Sequence, residues 1–135
     1  MRNLYILLFS CLPILACSQG KDNLKDKFSD YFLIGATINQ EDYQIIDKDE
    51  KVLKIVSENF NSLTPENSMK WMHSHPEYSK FTFSNAQKIT DFAKDNNMYL
   101  LGHTLVWHNQ VPQYISEIAD KGKFNLHLKN HIYQL

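Results

Sequence analysis

The chain has 135 residues, with 14 basic and 15 acidic side chains and a formal charge of -1. That balance excludes the clustered basic footprint by which proteins bind nucleic acid. A hydrophobic content of 43% with 13% aromatic residues is that of a globular chain and excludes extended disorder beyond the ends.

Residues 1–17 read as a targeting segment that stays outside the fold. Arg2 supplies a positive start, and Leu4 to Ala16 is apolar over a length within the roughly 7–15 residues of a signal core. That run is shorter than the roughly 20 residues a helix needs to span a bilayer. Ile14-Leu15-Ala16-Cys17 has the form of a bacterial lipobox, in which the cysteine is lipidated and becomes the new N-terminus. Leu8-Phe9-Ser10-Cys11 is a poorer fit, since it leaves a very short apolar core. The expectation is export to the cell envelope with a lipid anchor on Cys17, or plain secretion if Cys17 is unmodified. Both cysteines, Cys11 and Cys17, lie in this segment. A chain processed at Cys17 therefore has no internal disulfide and no cysteine metal cluster.

Residues 18–27 are small, polar and charged, as in a tether, and the folded part is expected over 28–135. Phe32 to Ile38 is a short apolar run of strand type. Asp47 with Glu50 forms a capping box, and Val52, Ile55, Val56 and Phe60 follow at helical spacing. Phe60 to Leu63 is a second short strand, after which Thr64-Pro65 suits an N-cap with proline in the first helical position. Ser84 with Gln87 is another capping box, and Ala86, Ile89, Phe92 and Ala93 give that helix an apolar stripe that stops at Asn96-Asn97. Met98 to Trp107 contains a third strand. Beyond Gly122, Leu128, Ile132 and Leu135 fall on one face of a last helix. The order β-α-β-α-β-α predicts an α/β fold of parallel strands joined by crossover helices. An open βαβ domain and a slice of a (β/α)8 barrel both fit it.

In a parallel α/β fold, ligands meet the C-terminal ends of strands. Glu66, Asn67 and Lys70 follow one such end. They offer a carboxylate acceptor, an amide that donates and accepts, and a three-donor cation, a set suited to vicinal sugar hydroxyls. Spacing alone favours a plainer reading, a helix N-terminus with Glu66 near the positive dipole and a Glu66–Lys70 i,i+4 pair. His103, Trp107, His108 and Gln110 follow the third strand. An indole face stacks on the C–H face of a sugar ring and an imidazole bonds a hydroxyl, although buried tryptophan and histidine also serve as core. His127 and His131 are i,i+4 on the last helix, a spacing that can bind zinc, but no third ligand or Glu-x-x pattern accompanies them; they read as packed or solvated. His73 and His75 fall in a predicted loop and are discounted in the same way.

Thr64-Pro65-Glu66-Asn67-Ser68-Met69-Lys70-Trp71 and Gly102-His103-Thr104-Leu105-Val106-Trp107-His108-Asn109-Gln110 together resemble two hallmark motifs of the family 10 glycoside hydrolases, the xylanases. Phe81-Thr82-Phe83, followed by a helix that closes on Asn97-Met98, also resembles the family's connection between them. The resemblance covers about Phe28 to Leu135 and implies the first three βα units of a (β/α)8 barrel. It implies that Glu66, Asn67 and Lys70 bind the sugar on the non-reducing side of the scissile bond. His103 and Trp107 would hold the sugar at the cleavage point, with Gln110 in support; His108 matches with a less defined, structural role. The implied reaction is retaining hydrolysis of internal β-1,4-xylosidic bonds, without metal or organic cofactor.

A retaining glycosidase needs two carboxyl groups about 5–5.5 Å apart, one acid/base and one nucleophile. In the family these glutamates stand in Trp-Asp-Val-Val-Asn-Glu-like and Thr-Glu-Leu-Asp-like motifs. This sequence contains neither, so no catalytic residue is assigned, and Glu66 has a binding role. The expectation is the N-terminal portion of an endo-1,4-β-xylanase, inactive alone and poorly stable without the rest. The alternative is a non-catalytic xylan-binding surface lipoprotein. A zinc protein built on His127 and His131 is the third reading.

Overall fold

The computed structural model describes residues 23–39 and 50–135. The targeting segment, Cys17 and the capping residue Asp47 lie outside the described residues. In chain order the elements are helix α1 (Leu24–Lys27), strand β1 (Gly35–Ile38), helix α2 (Glu50–Asn59), strand β2 (Ser62–Pro65), helix α3 (Trp71–Ser74), helix α4 (Ser84–Asp95), strand β3 (Tyr99–Leu100), helix α5 (Gln113–Ser116) and helix α6 (Lys121–Gln134).

The strands form one parallel sheet in the order β1-β2-β3. Gly35 pairs with Ser62, Ile38 with Pro65, and Leu63 with Leu100. Alternation decides which side faces the helices. Ile38, Leu63 and Pro65 are buried, whereas Gly35 and Thr37 on the opposite face of β1 are exposed. On the covered side Ile38, Val56, Leu63, Ile89, Ala93 and Met98 form the core, with Val52, Phe60, Phe92 and Leu100 around it. The stripes expected for α2 and α4 meet there, except that Ile55 points outward. Leu63 is 0% exposed, and its truncation leaves a cavity costing about 2–5 kcal/mol.

Several expected boundaries move. Strand β1 begins at Gly35, and Phe32 and Leu33 are exposed, with the Phe32 ring stacked on Phe28. Leu24–Lys27, inside the stretch read as tether, are helical, and Lys25 Nζ donates to Ser57 O at 2.5 Å. Thr64-Pro65 do not open a helix; they end β2. Pro65 tolerates that place because the next donor, Glu66 N–H, makes the bond to Ile38 O at 2.9 Å. Ser84 is the first helical residue and not a cap: Phe83 holds the cap position, and Gln87 Nε2 turns to Asp91 Oδ1 at 2.8 Å. The stop at Asn96-Asn97 holds, with Asn97 at φ 52°, a left-handed conformation that asparagine tolerates.

Strand β3 is only Tyr99–Leu100, because after Leu101 N bonds Leu63 O the backbone leaves the ladder. The last helix is capped by Asp120, whose carboxylate accepts from Lys123 N at 2.8 Å. It buries His127 and His131, while Ile132 and Leu135 are exposed and Leu128 is half-buried. The aliphatic face expected for this helix is therefore not its docking face. His73 also lies in helix α3, with His75 at its C-cap, and not in a loop.

Candidate functional site

Parallel pairing brings the C-terminal ends of β1, β2 and β3 to one side. Asn39 follows β1, residues 66–70 follow β2, and residues 101–110 follow β3. A turn with Lys70 N bonded to Asn67 O at 2.9 Å lifts Asn67 and Lys70 together. Lys70 then takes the N-cap position of α3.

Asn67 is the hub. Its Oδ1 accepts from Lys70 Nζ at 2.9 Å and from Gln110 Nε2 at 3.3 Å, and its Nδ2 donates to Asn39 Oδ1 at 3.2 Å. Lys70 is only 7% exposed. Its ammonium lies 4.7 Å from the centroid of the Trp107 ring, so an amide oxygen and an indole face offset its loss of water. The cation–π part contributes about 0.5–2 kcal/mol, depending on how dry the contact is. The Glu66–Lys70 pair allowed by spacing is not the contact Lys70 makes.

Gln110 is fixed from two directions. Its φ of 55° is left-handed, an unusual conformation for a residue with a long side chain. Its carbonyl accepts from Met72 N at 3.0 Å, satisfying one of the free donors that open α3. Its side chain also meets His73, whose ring bonds it.

Four of the six sequence-predicted binding residues thus meet directly: Asn67, Lys70, Trp107 and Gln110. Glu66 and His103 stand exposed at the same strand ends and, among the described residues, do not hydrogen-bond into that cluster. A cis peptide joins His103 to Thr104. His108 is exposed and meets the Trp107 ring edge-on at 5.3 Å. A cavity of about 440 Å³ lies elsewhere, between α4, β3 and the end of α6, lined by Ala86, Leu100, Leu105 and Leu135 among others. It shares no residue with the Asn67 cluster and lacks its polar groups, so it reads as a packing gap.

Behind the cluster is an aromatic stack whose members carried no sugar-binding role in the sequence reading. Trp71 stacks on His131 with ring centroids 4.2 Å apart and planes 3° apart. The Trp71 indole N–H donates to Tyr114 Oη at 3.2 Å, and Tyr114 donates to His75 O at 3.4 Å. His75 lies on Phe81 at 4.0 Å, and His127 meets Tyr78 and Tyr114 edge-on. Burial pushes His75 and His131 below the ordinary histidine value; bonds to Tyr78 O and Leu105 O oppose this, and neighbouring histidines add to it. His73 is lowered by burial and then by the nearby Lys70 charge, and a hydrogen bond to the Gln110 side chain opposes this. Burial raises Tyr114. The i,i+4 spacing of His127 and His131 was the available signal for this face, and packing is what it serves. Asn39 and Tyr114 left no such signal, because only the fold brings them to the site.

The sequence matches the family model "Glycosyl hydrolase family 10" over residues 23–135. It is 42% identical over 134 residues to a beta-1,4-xylanase of Dictyoglomus thermophilum, covering 98% of this chain and 36% of that protein. It is 39% identical over 118 residues to endo-1,4-beta-xylanase A of Caldicellulosiruptor saccharolyticus, covering 84% and 33%. Among solved structures, native xylanase 10B of Thermotoga maritima superposes with a TM-score of 0.76 at 36% identity, covering 82% of this chain and 34% of that one. Xylanase 10B of Thermotoga petrophila RKU-1 in complex with xylobiose gives 0.73 at 37% identity, with the same 82% and 34%. The chain spans about a third of the length of these relatives. Its three parallel strands with their crossover helices are the corresponding part of a (β/α)8 barrel. By sequence and by fold, the chain belongs to glycosyl hydrolase family 10.

Proposed function

We propose that this chain is the sugar-binding N-terminal third of an endo-1,4-β-xylanase. The observation that carries the reading is the cluster at the strand ends, where Lys70 and Gln110 converge on Asn67 and the ammonium lies against Trp107. Asn67, Lys70 and Gln110 supply amide and ammonium groups for vicinal hydroxyls. Trp107 supplies the apolar face for a pyranose ring. Glu66 and His103 complete the subsites from the exposed rim. A xylanase solved with xylobiose and a relative solved with xylotriose are among the similar structures, which supports a xylo-oligosaccharide as the ligand.

Hydrolysis is proposed for the whole enzyme, with retention through two carboxyl groups about 5–5.5 Å apart. Glu66 is the carboxylate of the motifs present here. It holds sugar, and one carboxylate cannot be both acid/base and nucleophile. The acid pair would come from sequence beyond these 135 residues. The experiment is calorimetric titration with xylotriose. Saturable binding that Asn67→Ala abolishes supports the reading, and identical binding by wild type and Asn67→Ala sinks it.

Export and anchoring belong to the same proposal. The short apolar core and Ile14-Leu15-Ala16-Cys17 support a lipid anchor on Cys17 at the cell envelope. Radiolabelled fatty acid is expected on the protein and not on Cys17→Ala; equal label on both overturns it.

A further inference from the structure

We infer that His131 is a positioning residue for the sugar-binding segment 101–110, gripping it from behind through the Leu105 carbonyl. This rests on the sugar-binding reading above. The residue touches no sugar-facing atom and acts through the segment that carries His103, Trp107 and Gln110.

The geometry has two parts. His131 is 0% exposed, and its Nε2 lies 2.8 Å from Leu105 O. A carbonyl only accepts, so Nε2 carries the proton and donates. The ring is then held flat against Trp71, the residue after Lys70. One imidazole therefore joins helix α6, the segment after β2 and the segment after β3. Those last two segments supply Asn67 and Lys70 on one side and Trp107 and Gln110 on the other. Outside the hydrogen bonds of the site itself, this stack is a second tie between them.

The same geometry fixes the charge state that works. With Nε2–H given to Leu105 O, Nδ1 keeps its lone pair and is buried without a partner. A second proton would place a buried N–H with no acceptor. The titratable groups around the ring add no compensating anion. His75, at the C-cap of α3, is stacked 5.7 Å away, with its own Nε2 on Tyr78 O and its own Nδ1 unpartnered. Tyr114 of α5 bonds Trp71 and His75 O, and His127 lies one turn earlier on α6 against Tyr114. The grip is therefore complete above the ordinary histidine value of about 6.5. It weakens as pH falls below that value, because the released state binds the extra proton more readily.

Amide hydrogen exchange of residues 101–110 in the full chain, alongside xylotriose titration, tests this. His131→Phe keeps a ring against Trp71 and removes the donor. His131→Gln keeps a donor at the position of Nε2 and cannot titrate. At pH 7.5, His131→Phe is expected to lose about tenfold in protection of 101–110 and about tenfold in xylotriose affinity, the size of one lost buried hydrogen bond. His131→Gln should restore both. From pH 7.5 to 5.5, wild-type protection, corrected for intrinsic rates, should fall, and the fall should be at least halved in His131→Gln. Unchanged protection in His131→Phe, or the full wild-type fall in His131→Gln, overturns the inference. Loop protection behaving as stated in a wild-type protein that binds no xylotriose would refute the sugar-binding reading while supporting the grip on the loop.

Discussion

At the scale of single residues, Asn67 does the most with the least. Its amide oxygen takes a donor from each of two segments, and its nitrogen reaches back to the residue after β1. Aspartate at this position would keep the acceptor and lose the donor to Asn39. Asn67→Asp is therefore expected to hold Lys70 more tightly through an ion pair while losing the Asn39 tie. Alanine leaves Lys70 Nζ without its oxygen in a nearly buried place, a loss of about 1–3 kcal/mol on the hydrogen-bond side. Urea denaturation of Asn67→Ala and Lys70→Met separates the two effects. Lys70→Met should be the milder for stability, because methionine replaces most of the lysine stem and leaves no buried charge. A larger stability loss in Lys70→Met than in Asn67→Ala would contradict this assignment.

At the scale of elements, what could be read ahead of the structure follows from how local each determinant is. Helix α4 was legible because Ala86, Ile89 and Ala93 repeat at 3–4 residues and all three are buried. Strand β2 was misjudged at its end because Thr64-Pro65 fits a helix start on local chemistry. The bond from Glu66 N to Ile38 O, made across the sheet, decides otherwise. Helix α6 was misjudged in its face for a related reason. Leu128, Ile132 and Leu135 look like a docking stripe, yet Trp71 and Tyr114 arrive from elsewhere in the chain and favour the histidine edge. That Asn67, Lys70, Trp107 and Gln110 belong together was legible from contiguous motifs, and the Asn39 and Tyr114 contacts, made over 28 and 43 residues of separation, were not.

The histidine edge carries its own prediction for stability. Burial holds His75 and His131 below their ordinary value in the fold. The unfolded chain then binds more protons than the folded one as pH falls past about 6.5, so stability is full above that value and declines below it. The urea midpoint should be lower at pH 5.5 than at 7.5, and the difference should shrink in His75→Phe, which stacks on Phe81 without titrating. An equal or higher midpoint at pH 5.5 would contradict the burial of these two rings.

At the scale of the whole molecule, the described residues form one layered piece, with the covered face of the sheet packed and the other face open. Leu101, Leu105 and Val106 are exposed beside β3, and among the described residues β3 pairs only with β2. An apolar surface next to a free strand edge promotes self-association. Sedimentation of the 135-residue chain should therefore show mass rising with concentration, and a concentration-independent monomer would contradict it. On the proposed reading, holding a sugar is separate from cutting it: the strand ends carry an ammonium, amides and an indole, with the carboxylate of Glu66 at the rim.

Xylotriose titration of the 135-residue chain, wild type against Trp107→Ala, with reducing sugar from xylan followed in parallel, tests that separation most directly. Saturable wild-type binding, weakened about tenfold or more in Trp107→Ala for loss of the stacking face, with no sugar released by either protein, is the predicted result. Equal binding by both proteins, or release of reducing sugar by this chain alone, would contradict it.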